Sequence, residues 1–178
     1  KNSGIGGQLD INIPGIFWNT GSLGHSIGVC SGVAIANQIK KNNSHSITII
    51  GDSEIDEGAS WEAMIYAGEN ILKNLIVMID RNKYSVTSKI DNSLFYKNSN
   101  LILTKLGWNV LDIDGHNISK LTQGLKNAKQ SKKPTIMICN TIKGKGVSFM
   151  ENNKGWHHGA INDEQYEIAI RDIKKNYE

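Results

Sequence analysis

Short runs dominated by Ile and Val recur along the chain at SITII (46–50), NLIVMID (74–80), WNVLDI (108–113) and PTIMICN (134–140). Each is too short for a helix of ordinary length, is rich in β-branched residues and is bounded by turn residues, which predicts strands buried on both faces. Between them, apolar residues return with helical spacing over 58–72, 93–106 and 117–130, and a last amphipathic pattern, 162–177, starts at Asn162-Asp163. Asn117 or Ser119 caps the third of these. Strand and helix in strict alternation predict right-handed βαβ units, so the fold class is α/β: a parallel sheet with helices on both faces.

Residues 22–41, SLGHSIGVCSGVAIANQIKK, read as a further helix in which Gly24, Gly28 and Gly32 recur every fourth position. A glycine in a helix interior costs about 1 kcal/mol relative to alanine, so three on one face need a reason. Something, a neighbouring helix or a ligand, is expected to approach this backbone closely. The first 21 residues carry five glycines and a proline and read as a loop, as does the Gly- and Lys-rich stretch 141–161.

A length of 178 residues predicts one domain. A content of 39% hydrophobic and 21% charged residues excludes a disordered chain and a coiled coil. The 20 basic and 17 acidic residues are evenly spread, which argues against a nucleic-acid surface. No run approaches the roughly 20 apolar residues of a membrane helix, and no signal-peptide pattern appears. Cys30 and Cys139 sit in apolar segments outside any CxxC pair, and are expected to be reduced core residues of a cytoplasmic protein rather than a disulfide.

In open α/β sheets ligands bind beyond the carboxyl ends of the strands. Here those ends are Gly51-Asp52-Ser53, Arg81-Asn82-Lys83, Asp114-Gly115-His116 and the loop from Thr141 onward, all expected on one sheet edge. The first opens GDSEIDEG, with four acids in six positions. They are either solvated helix-start residues, favoured by the exposed N–H groups and the helix dipole, or part of a metal site. If the first two strands lie close together, Asp52 and Asn82 offer a carboxylate and an amide oxygen to one point. That donor set suits magnesium or calcium; the absence of Cys and His at both positions argues against zinc. Gly51 permits a tight turn, and a helix starting near Gly58 offers N–H groups to a phosphate.

GDSEIDEGASWEA, with 28 residues between its Ser53 and the Asn82 of NLIVMIDRN, resembles the thiamine-diphosphate motif in its transketolase form. PGIFWNTGSLGHSIGVCSGVAIA, DIDGHN and TIKGKGVSFMENNKGWHHGAINDEQY are similar to further segments of that family, the last to the closing segment of the diphosphate-binding domain of bacterial two-subunit transketolases. The resemblance implies one diphosphate-binding domain over 1–178, lacking its N-terminal part, with thiamine diphosphate and Mg2+ (or Ca2+) as cofactors. It implies Asp52, Asn82 and the backbone carbonyl of Tyr84 as metal ligands. Gly21, Leu23, Gly24, Gly51 and Ser53 would line the cofactor, with Asp52, Asn82 and Tyr84. Glu57 matches the acid of a proton relay between active sites, and His158, or His157 if the alignment slips by one, matches the histidine near diphosphate and substrate. On the residues alone, His157 and His158 also read as a solvated loop pair; that reading is stronger for His25 and His116, the latter as a helix-entry residue. Glu54 and Asp56 are expected to be solvated helix-start residues.

The family's catalytic glutamate comes from a pyrimidine-binding domain, and too few residues remain after KGKGVSF to build one. The resemblance therefore implies a partner subunit carrying the pyrimidine-binding and C-terminal domains, a dimer of heterodimers, and two-carbon ketol transfer between small carbonyl or sugar substrates, with no nucleic acid and no membrane. Two departures bear on the reaction. Ser53 replaces the second glycine of GDG, and Gly6-Gly7-Gln8-Leu9 stands where many transketolases have Gly-His-Pro. With Trp18, these leave open acyl transfer from a 2-oxo acid, or a non-catalytic scaffold subunit.

Overall fold

The structure, a computed structural model, describes residues 8, 10–85, 88–90 and 94–177. Of the predicted site and departure residues, Gly6, Gly7 and Leu9 lie outside the described residues. The elements run α1 (Ser26–Ile39), β1 (Ser46–Gly51), α2 (Gly58–Glu69), β2 (Leu75–Arg81), α3 (Leu94–Lys105), β3 (Asn109–Asp114), α4 (Ile118–Gln130), β4 (Thr135–Asn140) and α5 (Asp163–Tyr177). Short 3-10 turns cover Asp52–Asp56 and Lys154–Trp156. Caps start the later helices where the sequence placed them. Asn117 Oδ1 accepts the Lys120 N–H at the head of α4. Asn162 Oδ1 accepts the Gln165 N–H at 2.8 Å while Gln165 Oε1 accepts the Asn162 N–H at 3.1 Å, a reciprocal cap for α5.

All four strands are parallel, in the order β1-β2-β4-β3. Gly51 lies opposite Asp80, Arg81 opposite Asn140, and Asp114 opposite Asn140, so the four carboxyl ends do share one edge. Period-two alternation sorts the strand side chains into two layers. Leu75, Val77, Ile79, Ile136 and Ile138 face a core built with Ile27 and Ala34 of α1, Met64 and Ala67 of α2 and Leu103 of α3. Ile76, Met137 and Cys139 face the other way, onto Ala128, Leu121 and Leu125 of α4.

Two expectations are corrected. The two edge strands are not buried on both faces: no residue of β3 is fully buried, and in β1 Ser46, Thr48 and Ile50 are buried but Ile47 and Ile49 are exposed, Ile49 to 69%. They share a face with Ile76 and Met78, and α4 packs over β3 and β4 rather than over β1. The first helix begins at Ser26, not at 22, because Gly24 has φ +78°, a left-handed conformation no helix accommodates. Gly28 and Gly32 are exposed, and a Cβ on either would meet nothing within 4 Å, so no close approach to that face is made by the described residues.

The close glycine contact is elsewhere. A Cβ at Gly68 of α2 would lie 1.8 Å from the carbonyl oxygen of Leu106 in the turn after α3. Beside it, buried Trp108 donates its indole N–H to the Met64 carbonyl at 2.9 Å. Both cysteines are free; Cys139 is buried, and burial pushes its thiol up to about 11, with Asp80 and Asp112 adding to the shift. Among the described residues no helix is long and apolar enough to cross a membrane.

Candidate functional site

Asp52 leaves β1 directly into a 3-10 turn and is only 6% exposed. Its Oδ2 accepts the main-chain N–H of Lys83 at 2.7 Å, while Oδ1, also buried, has no hydrogen-bond partner. Burial lifts the carboxyl to about 6 from its ordinary 3.8, reinforced by the nearby charge of Asp80 and partly offset by the main-chain N–H groups of Lys83, Ser53 and Asp52. An ionised oxygen buried without a donor is costly unless a cation meets it. The residue that holds Oδ2 is itself constrained: Lys83 has φ +76°, a left-handed conformation that costs a non-glycine residue about 1–2 kcal/mol.

The same turn carries Asn82 and Tyr84. Asn82 Oδ1 accepts the Tyr84 N–H at 3.1 Å, and Asn82 Nδ2 donates to Asp80 Oδ2 at 3.2 Å. An amide oxygen has two lone pairs, so one remains for a cation. The two predicted side-chain ligands are thus brought to a single turn by the Asp52–Lys83 bond. Tyr84, whose carbonyl is the third expected ligand, follows two residues after Asn82. Among the described residues no group of three or more His, Cys, Asp and Glu side chains could hold a metal. The donors that are present are hard oxygens, too few to complete a coordination shell. Such a set suits a magnesium ion that takes its remaining ligands from phosphate oxygens and water.

Glu54 is not the solvated residue expected of a helix start, whereas Asp56 is exposed as expected. Half-buried, Glu54 accepts the Gly51 N–H with Oε1 and the Gly24 N–H with Oε2, both at 3.0 Å. One carboxylate therefore fastens the loop before α1 to the end of β1. Gly24 is fixed in place twice over, by its left-handed φ and by Glu57, whose Cβ would be 2.6 Å from an added Gly24 Cβ. The spacing of Glu54 three residues after Gly51 is a capping-box spacing, and was the signal available in sequence. Glu54→Ala removes two hydrogen bonds to a charged acceptor, and is expected to destabilise the protein by about 2 kcal/mol in urea titrations.

Of the other predicted cofactor-lining residues, Gly51 and Ser53 flank Asp52 in the chain, and Gly21 and Leu23 belong to the loop that Glu54 fastens through Gly24. Gly51 has an unstrained φ of −74°, and a Cβ there would meet only Glu54 Oε1, at 4.0 Å. Ser53 is absent from the left-handed residues, so replacing the second glycine of GDG carries no backbone strain. Gly21 has φ +126° and its open side is filled by the Gln8 amide, 2.6 Å from an added Cβ, while Leu23 is exposed. Ser26 Oγ, at the start of α1, is buried without a partner.

Glu57 is exposed at the head of α2 and makes no capping hydrogen bond. His157 and His158 are also exposed, with ring centroids 4.7 Å apart in an edge-on contact. Lys143 Nζ lies 3.2 Å from His157 Nδ1, and His157 is pushed below its ordinary value by burial, Lys143 and His158. A neutral imidazole accepting from a lysine ammonium satisfies both observations. His116 is no free helix-start residue: its Nε2 accepts the Ile142 N–H at 2.8 Å, fastening the end of β3 to the loop after β4. That loop reaches the Asn82–Tyr84 turn through Tyr84, whose hydroxyl donates to the Asn152 carbonyl at 2.8 Å.

These features define a parallel α/β domain whose strand ends gather an oxygen donor pair and glycine loops on one sheet edge. Residues 5–177 match the family described as transketolase, thiamine diphosphate binding domain, and the chain belongs to that family. It is 34% identical over 175 residues to one of the subunits of the apulose-4-phosphate transketolase of Phocaeicola vulgatus, covering 98% of this chain and 62% of that protein. It is 35% identical over 162 residues to a 6-deoxy-6-sulfo-D-fructose transketolase subunit of a Clostridium species, covering 90% and 59%. The crystal structure of the Campylobacter jejuni transketolase superposes with a TM-score of 0.82 at 27% identity, over 88% of this chain and 26% of that one. The chain therefore spans about three fifths of the length of these subunit relatives.

Proposed function

We propose that this protein is the cofactor-binding subunit of a cytoplasmic transketolase-like transferase, in which Asp52, Asn82 and the Tyr84 carbonyl hold a magnesium ion against thiamine diphosphate. The observation that carries the reading is the buried, partnerless Oδ1 of Asp52 on a turn locked to Asn82. When bound, thiamine diphosphate stabilises negative charge on a two-carbon fragment, and the protein supplies position and electrostatics. Gly21, Leu23, Gly24, Gly51 and Ser53 line it, with Glu54 fixing the loop that bears Gly24. His158 and His157 stand at the diphosphate and substrate side, where neutral His157 beside Lys143 can orient an anionic substrate group. The two subunit relatives are named for a sugar phosphate and a sulfo sugar, and we assign this protein a ketose with a terminal anionic group as donor.

The partner subunit brings the pyrimidine-binding and C-terminal domains. Its approach explains an α1 face of exposed Gly28, Gly32 and Ala36 beside Ile39, which is 76% exposed, and the exposure of Phe17 to 92%. Exposed Glu57 then faces a second active site as the relay acid, in a dimer of heterodimers. The orphaned carboxylate at a shaped strand end weighs against a scaffold subunit, which needs no such oxygen.

With both subunits present, thiamine diphosphate is expected to bind in a magnesium-dependent manner by calorimetry, and ketose phosphates or sulfonates to act as donors. Turnover of pyruvate in their place would transfer the assignment to 2-oxo acid chemistry. Absence of magnesium-dependent cofactor binding would sink both readings.

A further inference from the structure

Asp80 belongs to no assigned role, yet its carboxylate joins Asn82 to the loop after β4. It is the penultimate residue of β2, half-buried, and opposite Gly51 in the sheet register. Its Oδ2 accepts from Asn82 Nδ2 at 3.2 Å, and its Oδ1 accepts the hydroxyl proton of Thr141, the first residue after β4. Thr141 is held from two further sides. Its N–H donates to the Arg81 carbonyl at 3.2 Å, and its methyl packs on Gly115, where an added Cβ would lie 2.6 Å from Thr141 Cγ2. The carboxylate of Asp80 is therefore immobilised by β4 and β3 before it engages Asn82.

That matters because an asparagine amide has two ends of nearly equal size and opposite polarity. With Nδ2 presented outward, Asn82 would oppose a cation with a donor hydrogen; with Oδ1 outward, it is a ligand. A carboxylate accepts only, so Asp80 can pair with Nδ2 and never with Oδ1. This leaves Oδ1 on the side of the Tyr84 N–H, as observed.

We propose that Asp80 is a positioning residue that fixes the Asn82 amide with its oxygen as the ligand end, and so sets the cation affinity of the site. The inference rests on the magnesium reading above. Partners of this kind, behind the ligands themselves, are typically worth about 10- to 100-fold in metal affinity.

The test is a double-mutant cycle read as the Mn2+ dissociation constant, by paramagnetic resonance, on the full-length protein assembled with its partner and thiamine diphosphate. Asp80→Ala is expected to weaken Mn2+ binding about 10- to 100-fold. Thr141→Val, which loosens Asp80 while keeping its charge, should weaken it in the same direction by less. The decisive arm repeats Asp80→Ala in an Asn82→Asp background. A carboxylate at 82 has no nitrogen end to misplace, so there the Asp80→Ala loss should vanish. An equal loss in both backgrounds would show that Asp80 acts through charge or as a ligand itself, and would overturn the proposal, as would no loss in the Asn82 background. Asp52→Ala is the control for the underlying reading: Mn2+ affinity unchanged by it would remove the cation site altogether, whatever Asp80 does.

Discussion

Asp52→Asn is expected to raise the Mg2+ requirement for thiamine diphosphate binding beyond about 100-fold, more than loss of a supporting residue costs, while flattening the pH dependence of the metal-free fold. The carboxyl sits at about 6 in the folded protein against an ordinary 3.8. A folded-state value above the unfolded one means that protonation favours the fold. The stability contributed by Asp52 is fully present below its unfolded value of 3.8 and is lost as pH rises through about 6. The difference between the two values corresponds to about 3 kcal/mol. Urea titrations of metal-free wild type between about pH 4 and pH 8 should therefore show that decline, superposed on whatever other groups contribute, and the difference from Asp52→Asn should isolate it. Parallel stability curves for the two proteins would mean that Asp52 is solvated, and would remove the main physical reason for a cation there. With Mg2+ and cofactor present the decline should be reversed in wild type only.

Gly68→Ala is expected to be the most damaging glycine-to-alanine substitution among the described residues. The new Cβ would stand 1.8 Å from a main-chain oxygen, that of Leu106, and neither alanine nor backbone has a rotamer that relieves the overlap. Overpacking of a core ordinarily costs about 1–3 kcal/mol, and a clash against backbone belongs at or above the top of that range. For a chain of this length, about 3 kcal/mol corresponds to a fall of roughly 6–12 °C in Tm. Gly28→Ala and Gly32→Ala should do the reverse, since open space surrounds both and each replaces a poor helix former, a gain of up to about 1 kcal/mol apiece. If either variant stabilises the isolated chain but impairs assembly with the proposed second subunit, the exposed α1 face is where that subunit lands.

The contrast between these glycines shows what the sequence could convey. Spacing drew attention to Gly24, Gly28 and Gly32, but only Gly24 is constrained by its own chain, through its positive φ and the Glu57 side chain. Gly68 carries no periodic signal, because its partner is a carbonyl 38 residues away whose approach depends on how α2 and the α3–β3 turn cross. The strand and helix series, the parallel sheet and the placement of Asp52 and Asn82 were legible, since apolar period and strand-end position are local patterns. The half-exposed β1 was not, as an Ile-Thr-Ile-Ile run reads the same at the edge of a sheet as in its middle. Glu54, Asp80 and Lys83 escaped for a related reason. Their significance lies in which distant N–H or amide they meet, and residue type alone does not encode a meeting.

The left-handed Lys83 turn has a consequence for how affinity and robustness trade within this protein. Its strain is accepted when the chain folds, and is offset by the Asp52 carboxylate and by the Ile90 N–H that donates to the Lys83 carbonyl at 3.0 Å. A ligand arriving later finds the two strand ends already registered and need not spend its own binding energy ordering them. The fold thus runs slightly below its attainable stability so that the site is ready in advance. Selection for a sturdier scaffold would press first on this lysine, and its gain would be measured against a slower, looser capture of the cofactor.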